Sequence, residues 1–328
     1  MRAIAGVVLL LVAAGALTLG VGVRPATFTE IWQALTAFDP SDPVHVAVGS
    51  IRLPRLLAGI IAGAGLGMAG TVMQALTRNP LADPGLLGVN SGAAFAIVFG
   101  ALLFGRSDAG LMAALAFPGA ALAAMAVFAL GGGLRGDAGP VRLTLSGTAI
   151  NALLLSLVSA IVLVRGETLE ILRFWVVGSL SQAGARPLAA MGLAVVLGTA
   201  LAMAIAPRLE ALSLGAALAR GLGTRLGRVQ FGSLVAVTLM TGAAVAVAGP
   251  IVFVGLIVPP IARRIGGHVL RVELLLSALL GATLLLLADT AGRLVLAPAE
   301  IRVGIMTALI GAPVFVLIAR RLRPGASA

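Results

Sequence analysis

Apolar runs of membrane-crossing length recur along this sequence from end to end, and they decide what it can fold into. Residues 3–23, 56–77, 111–134, 143–164, 188–206, 229–248 and 274–288 are each nearly free of charge. About 20 such residues in a helix cross the ~30 Å hydrocarbon core of a bilayer. Only 11% of the 328 residues are charged, against about 25% in soluble domains. So few polar groups cannot clothe a water-soluble surface, and lipid must be the solvent for much of it. The chain is read as all-α, a polytopic membrane helix bundle forming one transmembrane unit over residues 1–328. About ten helices are predicted, over 3–23, 53–77, 84–104, 110–132, 143–165, 187–206, 228–248, 251–265, 272–293 and 303–321. The first is read as a retained helix, because no clear small-x-small cleavage site follows it.

What is missing narrows the chemistry. There is no Cys, so disulfides, thiolate metal sites and Cys nucleophiles are excluded. There is no Lys either; all 23 basic residues are Arg. A phosphate-binding P-loop needs its Lys, and so does a Schiff base. If ATP drives this protein, another chain hydrolyses it. His45 and His268 are the only histidines and Tyr is absent, a poor ligand set for a transition metal. No cofactor is expected on this chain. The net charge of +11 does not indicate nucleic acid, because the arginines stand singly between apolar runs with almost no aromatic interleaving. The larger share of them falls on the side of both termini, which places the N- and C-termini in the cytoplasm.

Two stretches share a plan. Residues 63–92 form a Gly-rich helix, an Asn79-Pro80 break, then Gly85-Leu86-Leu87-Gly88. Residues 242–260 form a small-residue helix, a Gly249-Pro250 break, then Val254-Gly255-Leu256. Helices 2–5 and 7–10 are therefore expected to be inverted repeats, with their breaks near a transport path.

Several motifs carry two readings each. Gly59, Gly63 and Gly67 line one helix face and suit close helix packing. Thr77–Gly85 reads as a turn or as a loop shaping a path. Residues 207–228 read as a loop lying at the lipid interface or as a partner surface, since its exposed Leu side chains need cover. Asp289 and Arg293 stand four apart on one helix face and are expected to pair as a structural ion pair. Arg52 and Arg55 flank Pro54 at the other side of the membrane from the termini. They read either as arginines snorkelling to headgroups or as a docking site for an acidic partner.

Together these segments resemble one family, the FecCD-type permeases of iron-siderophore, haem and cobalamin ABC importers. Arg52-Leu53-Pro54-Arg55 matches its Arg-x-Pro-Arg. Gln74 to Ala93 is nearly its signature block. Trp175-Val176-Val177-Gly178-Ser179, Gly249 to Leu256, Ala288-Asp289 with Arg293, and Gly311-Ala312-Pro313 match others. The finer likeness of Thr77–Gly92 and Phe174–Leu180 is to ferric-siderophore permeases.

The resemblance implies a permease with the path at an interface with a second, identical or paralogous, permease subunit. Two ATP-binding subunits, carrying ATP and Mg, would sit on the cytosolic side, and a periplasmic or lipid-anchored substrate-binding protein outside. Residues 207–228 would be the cytoplasmic coupling loop, with Leu212, Leu214, Gly215, Ala219, Arg220, Leu222 and Gly223 receiving the ATPase. Arg52, Arg55 and Arg293 would dock the binding protein. Asn79, Pro80, Gly85, Gly88, Gly249, Pro250 and Gly255 would lie on the path or its gates. The setting would be the bacterial inner membrane and the cargo a ferric chelate. The sequence departs from the family pattern at Pro259-Pro260, Gly267-His268-Val269, Ala216 and Glu300-Ile301-Arg302-Val303-Gly304. Two rival classes are an ion-coupled secondary transporter, for which Asp289 is the one good coupling carboxylate, and a non-transporting membrane scaffold.

Overall fold

The structure, a computed structural model, describes residues 2–22, 24–106, 108–133, 139–213, 215–221 and 223–321. Among the described residues there is helix and turn but no strand. Helix α1 is Arg2–Gly20 and α2 is Phe28–Thr36. Helix α3, Pro43–Val46, runs through a π turn at Ala47–Arg52 into α4, Leu53–Thr77, so that 43–77 is one apolar rod. It starts well before the predicted 53. Asp42 caps it by accepting from the Val44 amide at 2.7 Å, and Pro43 suits a first helical turn. The π turn accommodates Pro54, which has no N–H to donate.

Next come α5 (Val89–Phe104), α6 (Ala109–Leu130), α7 (Pro140–Val164) and the short α8 (Glu167–Val176). They are followed by α9 (Leu188–Ser213), α10 (Ala216–Gly221) and α11 (Leu226–Ala248). The chain ends with α12 (Val254–Gly266), α13 (Leu270–Val295) and α14 (Val303–Arg321). Among the described residues, seven helices are long and apolar enough to cross a membrane: α1, the 43–77 rod, α6, α7, α9, α11 and α13. Shorter helices stand at the other three expected spans: the apolar α5 and α14, and α12, which carries Arg263 and Arg264 in its last turn. One boundary moves inward along the chain: residues 207–213, expected in a loop, continue α9 through Pro207.

Burial separates centre from rim. In the rod, 72% of the membrane-length window is buried and in α11 78%, against 11% in α7. These two helices are therefore the axis of the bundle. Glycines explain how closely α4 is approached. A Cβ on Gly63 would lie 2.4 Å from the Gly281 carbonyl oxygen, one on Gly67 2.2 Å from that of Ser277, and one on Gly70 1.9 Å from that of Gly255. Backbone therefore meets backbone, the contact that small residues permit in lipid. The packing reading of Gly63 and Gly67 holds.

The two halves pack reciprocally. The rod's α4 lies against α13, and α11 lies against α6. Gly147 of α7 abuts the Leu86 carbonyl just before α5, and Gly311 of α14 abuts Phe253 just before α12. Gly88 and Phe253, which precede α5 and α12, both take left-handed backbone, with φ of 73° and 70°. This exchange is what inverted repeats of helices 2–5 and 7–10 require.

Replacing Gly63 with Leu is expected to lower stability by about 1–3 kcal/mol through overpacking, read as a drop in the thermal midpoint of the detergent-purified protein. A Gly6→Ala change should not lower that midpoint, because nothing lies within 4 Å of a Cβ there and Ala is the better helix former.

Candidate functional site

At one end of the bundle, the start of α4 meets the end of α13 in a buried charge cluster. Arg55 donates from Nε to Asp289 Oδ2 at 2.8 Å and from Nη2 to Oδ1 at 2.9 Å. Its Nη1 lies 2.9 Å from Glu300. Arg293 Nε lies 3.3 Å from the same Asp289 Oδ2. Its other nitrogens donate to the Thr18 and Val21 carbonyls of α1 and the turn after it. Arg52 donates to the Leu19 and Arg24 carbonyls. The expected Asp289–Arg293 pair is present, but Arg55 is the closer partner of the carboxylate.

The three arginines expected to dock a partner are buried within the chain. Arg52, Arg55 and Arg293 are only 7%, 4% and 8% exposed, with their guanidinium groups turned inward. The Arg-x-Pro-Arg motif sits on a helix whose first turns pack against α1, so its charges serve the helix ends. The exposed cations at this end are Arg24, Arg106, Arg165 and Arg173.

Two matched motifs and the start of α14 converge beside this cluster. After α8 the chain turns at Gly178, and the Ser179 amide donates to the Ala248 carbonyl at 2.7 Å. A Cβ on Gly249 would lie 2.9 Å from the Trp175 carbonyl oxygen, and one on Gly304 1.8 Å from that of Val177. The Trp175–Ser179 turn, the Gly249-Pro250 break and the start of α14 are thus held in mutual contact. Arg302 donates to the Phe174 carbonyl and lies 4.7 Å from the centre of the Phe174 ring. Arg186 donates to the Ser179 and Val247 carbonyls, and burial lowers its guanidinium to about 10, still charged at neutral pH. A cavity of about 440 Å³ opens here, lined by Glu170, Phe174, Trp175, Ser179, Arg186, Gly249 and Arg302. Sequence reasoning missed α8, Arg186 and Arg302 as parts of this mouth. The signal was present in Glu167–Val176, which has carboxylates in its first turn and Arg173 in its last, the order a helix dipole favours.

The second break lies towards the other end. Asn79 Oδ1 accepts from the Leu81 amide at 3.0 Å, and Asp83 Oδ1 from the Gly85 amide at 2.7 Å. These side-chain turns fold the segment back on itself. Pro80 sits in the turn, and Pro84 opens a single 3-10 turn that ends at Gly88. The Pro84 ring abuts Gly255, which is also where α12 meets Leu66 and Gly70 of α4. The loop after α4 therefore re-enters the bundle to about two turns above the end of that helix, roughly 10 Å. Gly85, Gly255 and the starts of α5 and α12 are brought together inside the bundle, whereas Gly249 and Pro250 stay at the Trp175 mouth.

At the end that holds α10, Leu212 and Ala219 are buried and anchor the short helix. Gly215 and Gly223 turn at φ 116° and 76°, with open space beside both. Leu218 is exposed, and so is Arg220. Arg208, Arg225 and Arg228 line a cavity of about 210 Å³ nearby. Leu214 and Leu222 lie outside the described residues. Among the described residues, no three His, Asp or Glu side chains converge as metal ligands.

The model of the FecCD transport family matches residues 9–321. The chain belongs to the FecCD transport family. It is 43% identical to the ferric enterobactin transport system permease protein FepD of Escherichia coli, covering 98% of this chain and 96% of that one. It is 38% identical to the iron(3+)-hydroxamate import system permease protein FhuB of Bacillus subtilis, over 98% and 83%. A solved structure described as a metal-chelate type ABC transporter in an inward-facing conformation superposes with a TM-score of 0.82 at 31% identity, covering 98% and 99%. The protein is thus a multi-pass transport permease, not an enzyme.

Asp289→Ala is expected to cost about 3–5 kcal/mol, because it leaves Arg55 and Arg293 buried without their carboxylate. Arg302→Ala should cost only about 0.5–1 kcal/mol, the scale of an accessible cation–π contact. Thermal unfolding of the two purified variants side by side checks the order.

Proposed function

We propose that this chain is the membrane-crossing subunit of an ATP-driven importer that moves ferric siderophores across a bacterial inner membrane. The observation that carries the reading is the end-to-end match to a ferric enterobactin permease over 98% of this chain, which includes both helix breaks and the Trp175 mouth. A cobalamin import permease of Halobacterium salinarum is 37% identical, so cobalamin is the second cargo to test, and haem the third.

The path runs along a face shared with a second, identical or paralogous, permease subunit. The weakly buried α7 is suited to lipid or to such a subunit. Two ATP-binding subunits with ATP and Mg meet the chain at α10, where exposed Leu218 is flanked by the cations Arg208, Arg220, Arg225 and Arg228. That end is cytoplasmic in this reading, with both termini. A substrate-binding protein docks on the opposite end. Arg52, Arg55 and Arg293 hold the helix ends of that face, and exposed Arg24, Arg106, Arg165 and Arg173 steer acidic groups towards it. Asp289 is fully engaged by two arginines, which argues against the ion-coupled reading, since a coupling ion needs a free carboxylate.

The test is uptake into vesicles holding the reconstituted complex, with radio-iron-labelled ferric catecholate, ferric hydroxamate and haem, and labelled cobalamin, as probes. ATP-dependent accumulation of a ferric chelate is expected; accumulation driven by a proton or sodium gradient without ATP would overturn the reading. Leu218→Asp should reduce copurification of the ATP-binding subunits at least several-fold, measured by pull-down, while the permease remains folded.

A further inference from the structure

The polar side chains at the α10 end form a second network, apart from the exposed face of α10. Arg263, near the end of α12, donates to Glu273 at 2.7 Å and to Gln74 Oε1 at 2.5 Å. Gln74, near the end of α4, donates in turn to the Gly255 and Leu256 carbonyls at 3.4 and 3.3 Å. Glu273 lies in the first turn of α13 and is buried. The fourth member is Glu210, in the last turn of α9, whose carboxylate accepts from the backbone amide of Leu270. A cavity of about 320 Å³ lies between these groups.

The Glu210 bond is unusual in what it joins. The first amides of a helix have no partner within it. The residue preceding α13, Val269, caps none of them with its side chain. The cap is supplied instead by a carboxylate from another helix, more than fifty residues earlier in sequence, where negative charge is favoured by the helix dipole. Helix α13 then runs the length of the bundle, locked backbone to backbone on α4 at Gly63 and Gly67. At its far end it carries Asp289, which binds Arg55 of α4. Glu210 lies in the last turn of α9, six residues before the start of α10 at Ala216.

We propose that Glu210 is a positioning residue that transmits movement of the α10 element to the α4–α13 pair by holding the first amide of α13. The proposal rests on the importer reading above. Its cargo-independent content is that chelate movement per ATP hydrolysed depends on the Glu210–Leu270 bond.

Two variants break the bond from opposite sides. Glu210→Ala removes the acceptor. Leu270→Pro removes the donor, at a first helical position where Pro is tolerated and after a residue whose extended backbone accommodates it. Glu210→Gln keeps an acceptor oxygen. The complex of each variant with its ATP-binding and substrate-binding partners is reconstituted in vesicles, and ferric chelate uptake is divided by ATP hydrolysed. Glu210→Ala and Leu270→Pro are each expected to lower that ratio at least about five-fold, the lower range of coupling between sites. The double variant should fall no further than the single ones, and Glu210→Gln should stay within about two-fold of the parent, since one bond is shared and the Gln oxygen still accepts. An unchanged ratio in Glu210→Ala overturns the proposal, as do effects that multiply in the double variant or a Gln variant as poor as Ala. Should the parent complex itself show no ATP-driven uptake, the importer reading fails instead. Should Glu210→Ala not assemble, the Leu270→Pro and Glu210→Gln ratios decide alone.

Discussion

The closeness of α4 and α13 is the contact on which the rest of the molecule depends. Lipid tails compete equally for apolar side chains, so helices in a bilayer associate through tight packing rather than through exclusion from solvent. Here Gly63, Gly67 and Gly281 remove the side chains that would keep two backbones apart. The ionic cluster at one end of this pair and the polar network at the other are consequences of that geometry. Each holds the ends of helices already in register along their length.

Around this pair the bundle repeats itself in inverted order, and the repeat explains the two short helices. Helices α5 and α12 begin inside the protein because each follows a break, and their first amides lie where irregular backbone is sheltered by neighbours rather than exposed to hydrocarbon. The polar groups of the 79–88 segment are met locally, by Asn79 on Leu81 and Asp83 on Gly85. The Gly249-Pro250 segment is met by the turn after α8. A chain built in this way keeps its irregular backbone sheltered among neighbouring helices rather than exposed to lipid.

Much of this was legible in the residues. Charge-free runs located the seven long helices, because a helix bonds all its backbone groups within one segment in lipid. The Gly/Pro breaks marked the repeat, and the four-residue spacing of Asp289 and Arg293 announced their pairing. What could not be read was contact between distant segments. That Arg55 rather than Arg293 is the closer partner of Asp289 depends on α4 and α13 running side by side, which no local pattern encodes. The inward turn of Arg52 depends on where α1 ends. Helix α9 runs past the expected 206 because the Met203 carbonyl that Pro207 leaves free accepts from Arg271 of α13, a contact no local pattern encodes. Glu210 carries no local signal, since its partner is the main-chain amide of Leu270, which a sequence does not distinguish from any other.

The Arg55–Asp289 pair also dictates an order of events at the ribosome. Its members are 234 residues apart, so the second membrane helix is made and inserted long before the ninth exists. Until then Arg55 has no buried counter-ion and must keep its charge among headgroups and water, while the glycine face of α4 has no backbone to meet. Closure of the central rod therefore waits for the penultimate segment, and a nascent chain that stops short of it leaves the translocon with its axis open.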